Sequence, residues 1–208
     1  MRYRIRIPAL GLGASLLLLS PAFAAASAAS VPVSTLDSAL IASMKSAAAG
    51  RGFHARYQAL APVVKQAYNM PEVTKNSVGF LWSTLPADQQ SQLVELLTQF
   101  TIASYVSEFN GFSGQTINVL PDDKSLGEKK IVATKLNSPG NGSGVEIDYV
   151  VADDGNGWKI DDVLLNGTIS QVAVHESDFA ALVKSGDASQ LIAALKAKIK
   201  ILEGSSGQ

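Results

Sequence analysis

The stretch from Ser143 to Ser170 constrains the fold more than any other part of the chain, because strand alternation and a hairpin turn occur together in it. Val145, Ile147 and Tyr149 alternate with mostly polar neighbours, so this strand has one apolar side. The sequence Asp-Asp-Gly-Asn-Gly follows, which contains residues that tolerate positive φ, and a second strand begins after it. A hairpin with one apolar face is not stable alone, so the rest of the chain must cover that face.

Four helices are predicted before the hairpin, because apolar residues recur there at helical spacing. Ser34 and Asp37 have the spacing of a capping box at the start of the first helix, with Asp in place of the usual Glu. Pro71 and Pro86 suit the beginnings of the third and fourth helices. The predicted ranges are 34–49, 53–69, 71–82 and 86–109.

After Gly111 and Gly114 the apolar period changes from near 3.6 to 2, which predicts strands. They are expected at 115–120, 129–137, 144–152 and 157–165, with a short extended piece at 168–172. Helices are expected again at 176–184 and from Asp187, whose carboxylate is placed to cap the last one. This order predicts an α+β fold, in which a curved antiparallel sheet of about four to five strands is covered on one face by helices.

The N-terminus has the pattern of a secretory signal peptide, predicted over residues 1–24. Arg2, Arg4 and Arg6 precede an uncharged apolar run that ends in a small-x-small sequence at 22–24. An uncleaved membrane anchor is the alternative, but prolines and glycines leave the run shorter than the ~20 residues that a spanning helix needs. We expect a soluble protein in a bacterial periplasm, with a flexible leader over 25–33, a single domain over 34–203 and a loose tail over 204–208.

Composition excludes several classes of function. The chain has no cysteine, so a disulfide, a thiolate metal site, a thiol nucleophile and a lipoprotein anchor are excluded. Hydrophobic residues make up 47% of the chain and charged residues 17%, which favours a folded domain over disorder. Without the predicted signal peptide there are 14 basic and 18 acidic residues and no evident basic patch, so no nucleic-acid partner is expected.

Few residues are candidates for catalysis. His54 and His175 are the two histidines, and neither has a metal-ligand pattern around it, so we expect them to be solvated or structurally bonded and expect no metal or cofactor. The sequence also lacks a Gly-x-Ser-x-Gly elbow and a phosphate-binding Gly-Lys loop. Asp161 and Asp162 are the exception, because adjacent strand residues face opposite ways and one must point inward unless a bulge intervenes. An inward carboxylate could act as a general base, although a structural carboxylate is the more common case.

The order of particular residues resembles the MlaC family of periplasmic phospholipid-binding proteins, also called the toluene-tolerance family. The resemblance covers about residues 37–203. In the first half it rests on Tyr68-Asn69-Met70, Val78-Gly79, Trp82, Pro86, Phe100, Tyr105 and Gly114-Gln115. In the second half it rests on Tyr149, Gly157-Trp158-Lys159-Ile160, Asp162-Val163, Gly167, Asp178-Phe179, Gly186-Asp187, Leu191-Ile192 and Leu195.

Two positions depart from the family pattern. The family commonly has an aromatic-Asp pair where this chain has Tyr68-Asn69, and Gly-Val-Ser where it has the residues 167–170, Gly-Thr-Ile-Ser. The run Asp-Val-Leu-Leu-Asn-Gly-Thr-Ile-Ser is most similar to the subgroup associated with hopanoid biosynthesis. The resemblance therefore implies a cargo that is either a two-tailed phospholipid or a rigid polycyclic lipid.

The resemblance implies a soluble carrier without catalysis or cofactor that holds lipid in an apolar pocket between sheet and helices. Its implied partners are an inner-membrane complex linked to an ABC transporter and an outer-membrane partner. Strand parity and helical spacing place these residues around the pocket: Phe80, Leu97, Phe100, Tyr105, Ile117, Val119, Ile147, Tyr149, Val151, Trp158, Ile160, Val163, Leu165 and Ile169.

Two other functions remain open at this point. Helices on a curved sheet also describe cone-shaped isomerases and dehydratases, in which Asp161 or Asp162 would be the base on an apolar substrate. A periplasmic adaptor without cargo would have the same surplus of apolar residues in a filled core.

Overall fold

A computed structural model describes residues 27–121 and 123–205. Over these residues the chain forms six α-helices and a curved, six-stranded antiparallel sheet, which confirms the predicted α+β fold class. The helices are α1 (Val31–Ala48), α2 (Phe53–Ala67), α3 (Met70–Val78), α4 (Ala87–Glu108), α5 (Gln171–Phe179) and α6 (Ser189–Ser205). The strands are β1 (Thr116–Val119), β2 (Lys124–Leu126), β3 (Lys129–Ser138), β4 (Asn141–Asp153), β5 (Trp158–Leu165) and β6 (Ile169–Ser170).

The start of the ordered domain differs from the prediction. Residues 27–33 were expected in a flexible leader, but a 3₁₀ helix at Ala28–Ser30 runs directly into α1. This turn contacts β3, β4 and β5, and burial of Ala29 and Val33 accounts for its order. The predicted capping box is wrong for the same reason, since Ser34 and Asp37 lie inside the helix. The predicted signal peptide lies outside the described residues.

Other boundaries shift by smaller amounts. The helix expected at 176–184 begins earlier, at Gln171, and is followed by a 3₁₀ helix at Ala180–Leu182. A further 3₁₀ helix at Gly79–Thr84 follows α3, and α6 continues to Ser205, into the predicted loose tail. The carboxylate of Asp187 accepts a hydrogen bond from the backbone N–H of Ser189, the first residue of α6, as the capping prediction requires.

The sheet is a meander with strand order β1-β3-β4-β5-β6, and β2 pairs with the first part of β3. In the central hairpin Tyr149 lies opposite Val163, while Val151 lies opposite Ile160. The register shifts between Val150 and Val151, so Asp161 is the extra residue of a β-bulge. The bulge puts Ile160 and Val163 on the same face of β5, although their separation of three residues would otherwise put them on opposite faces.

The helices are held to the sheet by packing and by backbone hydrogen bonds. Helices α1, α2, α3 and α5 contact β5, and α4 packs against α2, α3 and α6. Just after α2 the backbone N–H of Asn69 donates to the carbonyl of Ile160, at 3.0 Å. The buried Arg56 joins α2 to the C-terminus of α4, where its guanidinium donates to the carbonyls of Val106 (2.8 Å) and Phe109 (3.3 Å).

A buried carboxyl group joins α1 to the sheet. The side chain of Asp37 is 4% exposed, and its Oδ1 accepts a hydrogen bond from the Tyr149 hydroxyl at 3.1 Å. Its Oδ2 is buried with no hydrogen-bond partner among the described residues. Burial raises the pKa of Asp37 to about 7, and the hydrogen bond from Tyr149 opposes this rise.

The raised pKa of Asp37 predicts a pH-dependent stability that the Asp37→Asn variant lacks. The proton on Asp37 stabilises the fold fully below the unfolded-state pKa near 4, and this contribution is lost as the pH rises through about 7. We expect the variant to be more stable than the wild type at pH 8, by up to about 4 kcal/mol, and the difference to vanish near pH 4. Urea unfolding at a series of pH values measures it.

The matched control is Glu128→Gln, in the exposed turn between β2 and β3. It should leave the unfolding free energy within about 0.5 kcal/mol of the wild type at each pH. A difference between Asp37→Asn and wild type that stays constant from pH 4 to pH 8 would contradict the titration assigned to Asp37.

Candidate functional site

A cavity of about 240 Å³ lies between α4, β5 and α5. Helix α4 contributes one wall, β5 contributes the second, α5 contributes the third, and the segment from the end of α2 to α3 closes the base. The lining residues are Tyr68, Val73, Phe100, Thr101, Ser104, Tyr105, Glu108, Asp162, Val163, Leu165, Gln171, Val172 and His175.

Regular spacing explains the walls that α4 and β5 contribute. Residues 100, 101, 104, 105 and 108 recur at three- and four-residue intervals, so they form one face of α4. Val163 and Leu165 are two residues apart and share a face of β5. The bulge at Asp161 keeps this face continuous with Ile160, which is fully buried in the core beside the cavity.

The third wall is set in place by the cap of α5. The hydroxyl of Ser170 accepts a hydrogen bond from the backbone N–H of Ala173, at 2.9 Å. The same hydroxyl donates to Oδ2 of Asp162, at 2.5 Å, while Oδ1 of Asp162 accepts from the N–H of Val172, at 3.1 Å. Asp162 therefore anchors the first turn of α5 to β5.

Two tyrosines meet at the base of the cavity. The hydroxyls of Tyr68 and Tyr105 are hydrogen-bonded to each other, which joins the end of α2 to α4. Burial raises the pKa of both hydroxyls, so each stays protonated at neutral pH. Tyr68 and Tyr105 therefore present aromatic surface to the cavity while their polar atoms are paired.

Polar atoms are also present in the cavity wall. Burial raises the pKa of Glu108, a lining residue at the C-terminal end of α4. The Nδ1 atom of His175 is buried and has no hydrogen-bond partner among the described residues. The lining contains no lysine or arginine. The site therefore combines an apolar surface with uncharged and acidic polar groups.

The structure brings together only some of the predicted pocket residues. Phe100, Tyr105, Val163 and Leu165 line the cavity. Five others are buried in the core: Leu97, Ile147, Tyr149, Val151 and Ile160. Ile117 and Val119 are half-buried on β1 and pack against the core. Which of these residues contact lipid stays a prediction.

The last three predicted residues lie outside the cavity, Phe80 and Ile169 at the surface and Trp158 half-buried against the core. Phe80 is 86% exposed and lines a shallow groove between the 3₁₀ helix Gly79–Thr84 and α5. Gly79 permits the close approach of this 3₁₀ helix to Glu176 of α5. Its φ is +73°, and an added Cβ would lie 2.5 Å from a carboxylate oxygen of Glu176. Trp158 lies under the ammonium group of Lys130 in a separate groove beside α1 and α2, and Ile169 is 49% exposed on β6.

Sequence reasoning missed the wall formed by α5. Gln171, Val172 and His175 were left out because the helix was predicted to begin only at Glu176. The i, i+3 and i, i+4 relation of Val172, His175 and Phe179 is the signal that would have extended the helix. Thr101, Ser104 and Glu108 were missed because small and polar residues on α4 were not assigned to the apolar face.

The contacts of the two candidate bases are structural. Asp161 occupies the bulge, is 4% exposed, and pairs with the Lys129 ammonium at 2.8 Å, and it does not line the cavity. Asp162 lines the cavity but accepts three hydrogen bonds, from Val163, Val172 and Ser170. The question of which adjacent aspartate points inward is thus answered: Asp161 occupies the bulge and Asp162 lines the cavity. Nothing in the contacts of either residue favours the enzyme alternative.

The described residues also contain no cluster of histidine, aspartate and glutamate that could hold a metal ion. No helix within residues 27–121 and 123–205 has the length and apolar character needed to cross a bilayer.

A family model described as "MlaC protein" matches residues 34–197. Among solved structures, the chain is similar to the phospholipid-binding protein from Ralstonia solanacearum, determined in complex with a phospholipid. The two share 22% sequence identity and superpose with a TM-score of 0.71, over 84% of this chain and 98% of that one. No curated protein matches this chain in sequence. The structural likeness shows that the two chains share a fold.

The cap of α5 predicts that Asp162→Ala destabilises the protein. The substitution removes the acceptor for the N–H of Val172 and the hydroxyl of Ser170, and it loosens the wall that α5 forms. We expect the unfolding free energy to fall by about 2–3 kcal/mol, as urea denaturation would measure. Glu128→Ala in the exposed β2–β3 turn is the control and should have little effect. Equal stability of both variants and the wild type would contradict the role given to Asp162.

Proposed function

The chain belongs to the MlaC family, and from that membership we propose that it is a soluble lipid carrier without catalytic activity. The observation that carries the proposal is the cavity between α4, β5 and α5, whose walls include Phe100, Val163, Leu165 and Val172. The relative from Ralstonia solanacearum, which shares the fold, was solved with a phospholipid bound. A sheet and helices that enclose apolar space suit the same kind of cargo.

The free-energy cost of exposing a lipid to water favours a carrier with an enclosed binding site. Each buried methylene contributes ~0.8 kcal/mol, so a lipid with about thirty methylenes would cost roughly 25 kcal/mol to expose in transit. A carrier removes this cost without a nucleotide, since transfer needs only different affinities at the donor and the acceptor. The absence of a phosphate-binding Gly-Lys loop from the sequence fits such a passive role.

The cavity must widen to take a whole lipid. Its volume of about 240 Å³ lies below the ~300–1,000 Å³ typical of pockets for drug-sized ligands. The wall best suited to move is α5, a short helix that is held to β5 by the Ser170–Asp162 cap and meets α4 at the rings of His175 and Phe100. We propose that the space between α5 and α4 widens away from this ring contact when cargo enters.

Membership of the family supports a proposal for the place of action and for the partners. We propose that residues 1–24 direct export and that the protein works in the periplasm. It would exchange lipid with an inner-membrane complex linked to an ABC transporter and with an outer-membrane partner. The cargo is a phospholipid or, as the similarity of residues 162–170 to the hopanoid-associated subgroup suggests, a polycyclic hopanoid lipid.

Native mass spectrometry of the protein purified from its own periplasm tests the proposal. We expect one lipid per chain, and extraction identifies it as diacyl or pentacyclic. Ser104→Phe should lower the bound fraction at least about tenfold, because it places a ring into the cavity from α4.

The control is Ser91→Phe, the same substitution at an exposed position near the start of α4, which should keep the lipid. A wild-type protein that carries no lipid, and neither binds added phospholipid or hopanoid nor melts at a higher temperature in their presence, would exclude the carrier and favour a cargo-free adaptor.

A further inference from the structure

His175 is held in a fixed orientation at the cavity by two aromatic rings. Its imidazole stacks on Phe179, with ring centroids 5.3 Å apart and an interplanar angle of 4°. Phe100 meets the same imidazole edge-on, with centroids 6.1 Å apart. Phe100 comes from α4 and His175 from α5, so the imidazole lies where these two walls of the cavity meet. Its direction is therefore set by packing and not by a hydrogen bond from any residue that the structure describes.

The Nδ1 atom of this ring needs a partner that the described protein residues do not supply. It is buried and makes no hydrogen bond to them. A buried polar atom without a partner is uncommon in folded proteins, and it strengthens the binding of any ligand that satisfies it. Burial lowers the pKa of His175, against the opposing effect of Asp178 and Asp162, so the ring is neutral at pH 7. A neutral imidazole nitrogen donates or accepts, according to the tautomer.

The charges around the cavity restrict what that partner can be. The titratable groups of the lining besides His175 are the carboxyls of Glu108 and Asp162 and the phenols of Tyr68 and Tyr105. No lysine or arginine lines the cavity, so a phosphate placed inside would be buried without a counter-charge. An uncharged oxygen has no such cost, and it can pair with a neutral imidazole.

We propose that His175 is a specificity-determining residue that hydrogen-bonds through Nδ1 to an uncharged oxygen of the cargo, either an ester carbonyl or a hydroxyl. The inference rests on the proposed carrier function. An ester carbonyl accepts from the Nδ1–H tautomer, and a hydroxyl can pair with either tautomer. The apolar part of the cargo then lies along Phe100, Val163 and Val172, and any phosphate stays outside the cavity.

Two pairs of lipid probes test this contact and distinguish an ester carbonyl from a hydroxyl as the oxygen that pairs with Nδ1. Dioleoylphosphatidylcholine and its diether analogue differ only in the ester carbonyls, and octadecanol and octadecane differ only in a hydroxyl. Each pair is offered in equal amounts in detergent micelles, and the bound ratio is measured by extraction and mass spectrometry. We expect wild-type protein to prefer the ester or the alcohol about five- to tenfold over its partner. A preference for the ester in the first pair identifies a carbonyl as the partner of Nδ1. A preference for the alcohol in the second pair identifies a hydroxyl as that partner.

Substitution of His175 assigns the preference to this side chain. His175→Phe keeps a ring to stack on Phe179 but removes both nitrogens, so the bound ratio should fall to about one through weaker binding of the ester or the alcohol, while the melting temperature of the lipid-free protein persists. His175→Asn keeps a polar group near the Nδ1 position and should retain part of the preference, which provides a second test if the phenyl variant does not fold. His54→Phe is the matched control, because His54 is exposed on α2 and bonds to Gln58.

Three results would overturn the inference. They are a wild-type ratio near one in both pairs, an unchanged preference in His175→Phe, and an equal loss of all four probes with a lowered melting temperature, which would indicate a structural role. A wild type that binds none of the probes and carries no lipid would instead refute the carrier function itself, so the two failures are distinguishable.

Discussion

The β-bulge at Asp161 is the constraint on which the rest of the site depends. It leaves Ile160 opposite Val151 and Asp162 opposite Val150, so Ile160 and Val163 face the helices together. The carbonyl of Ile160 accepts from Asn69, which fixes Tyr68 at the base of the cavity. Directly after the bulge, Asp162 is turned toward α5 and accepts a hydrogen bond from the N–H of Val172 in its first turn. A regular strand would move one of these contacts to the wrong face of the sheet.

The same arrangement explains why polar groups are present in an apolar site. Asp162, Ser170, Tyr68 and Tyr105 bond to one another or to the backbone, so they shape the cavity walls without the cost of an unpaired polar group. His175 differs, because aromatic packing fixes its ring while its buried Nδ1 has no hydrogen-bond partner within the described part of the chain. Structural pairing and the proposed ligand recognition are thus separate tasks of neighbouring residues, and their substitutions should have separable effects.

The sequence was sufficient to predict the class of fold, because periodicity, turn residues and helix starts agree over long segments such as α4 and the β4–β5 hairpin. The site was predicted only in part. Pattern assigned Leu97 and Ile160 to the same role as Phe100 and Val163, since no periodicity distinguishes a core position from a cavity wall. The start of α5 was missed although its Ser170 cap is local, because an extended piece was expected at 168–172 and the helix only from Glu176. The buried Asp37 was mistaken for part of a helix cap because its contact with Tyr149 is distant in sequence, and such a tertiary contact leaves no local pattern.

Photo-crosslinking with a phospholipid that carries a diazirine in one acyl chain tests the central claim most directly, with the adducts mapped by peptide mass spectrometry. If lipid tails lie between the helices and the sheet, adducts should concentrate at residues 100–108 of α4, 163–165 of β5 and 171–175 of α5. Adducts confined to exposed apolar positions away from the cavity, such as Leu126 and Val145, would contradict the account.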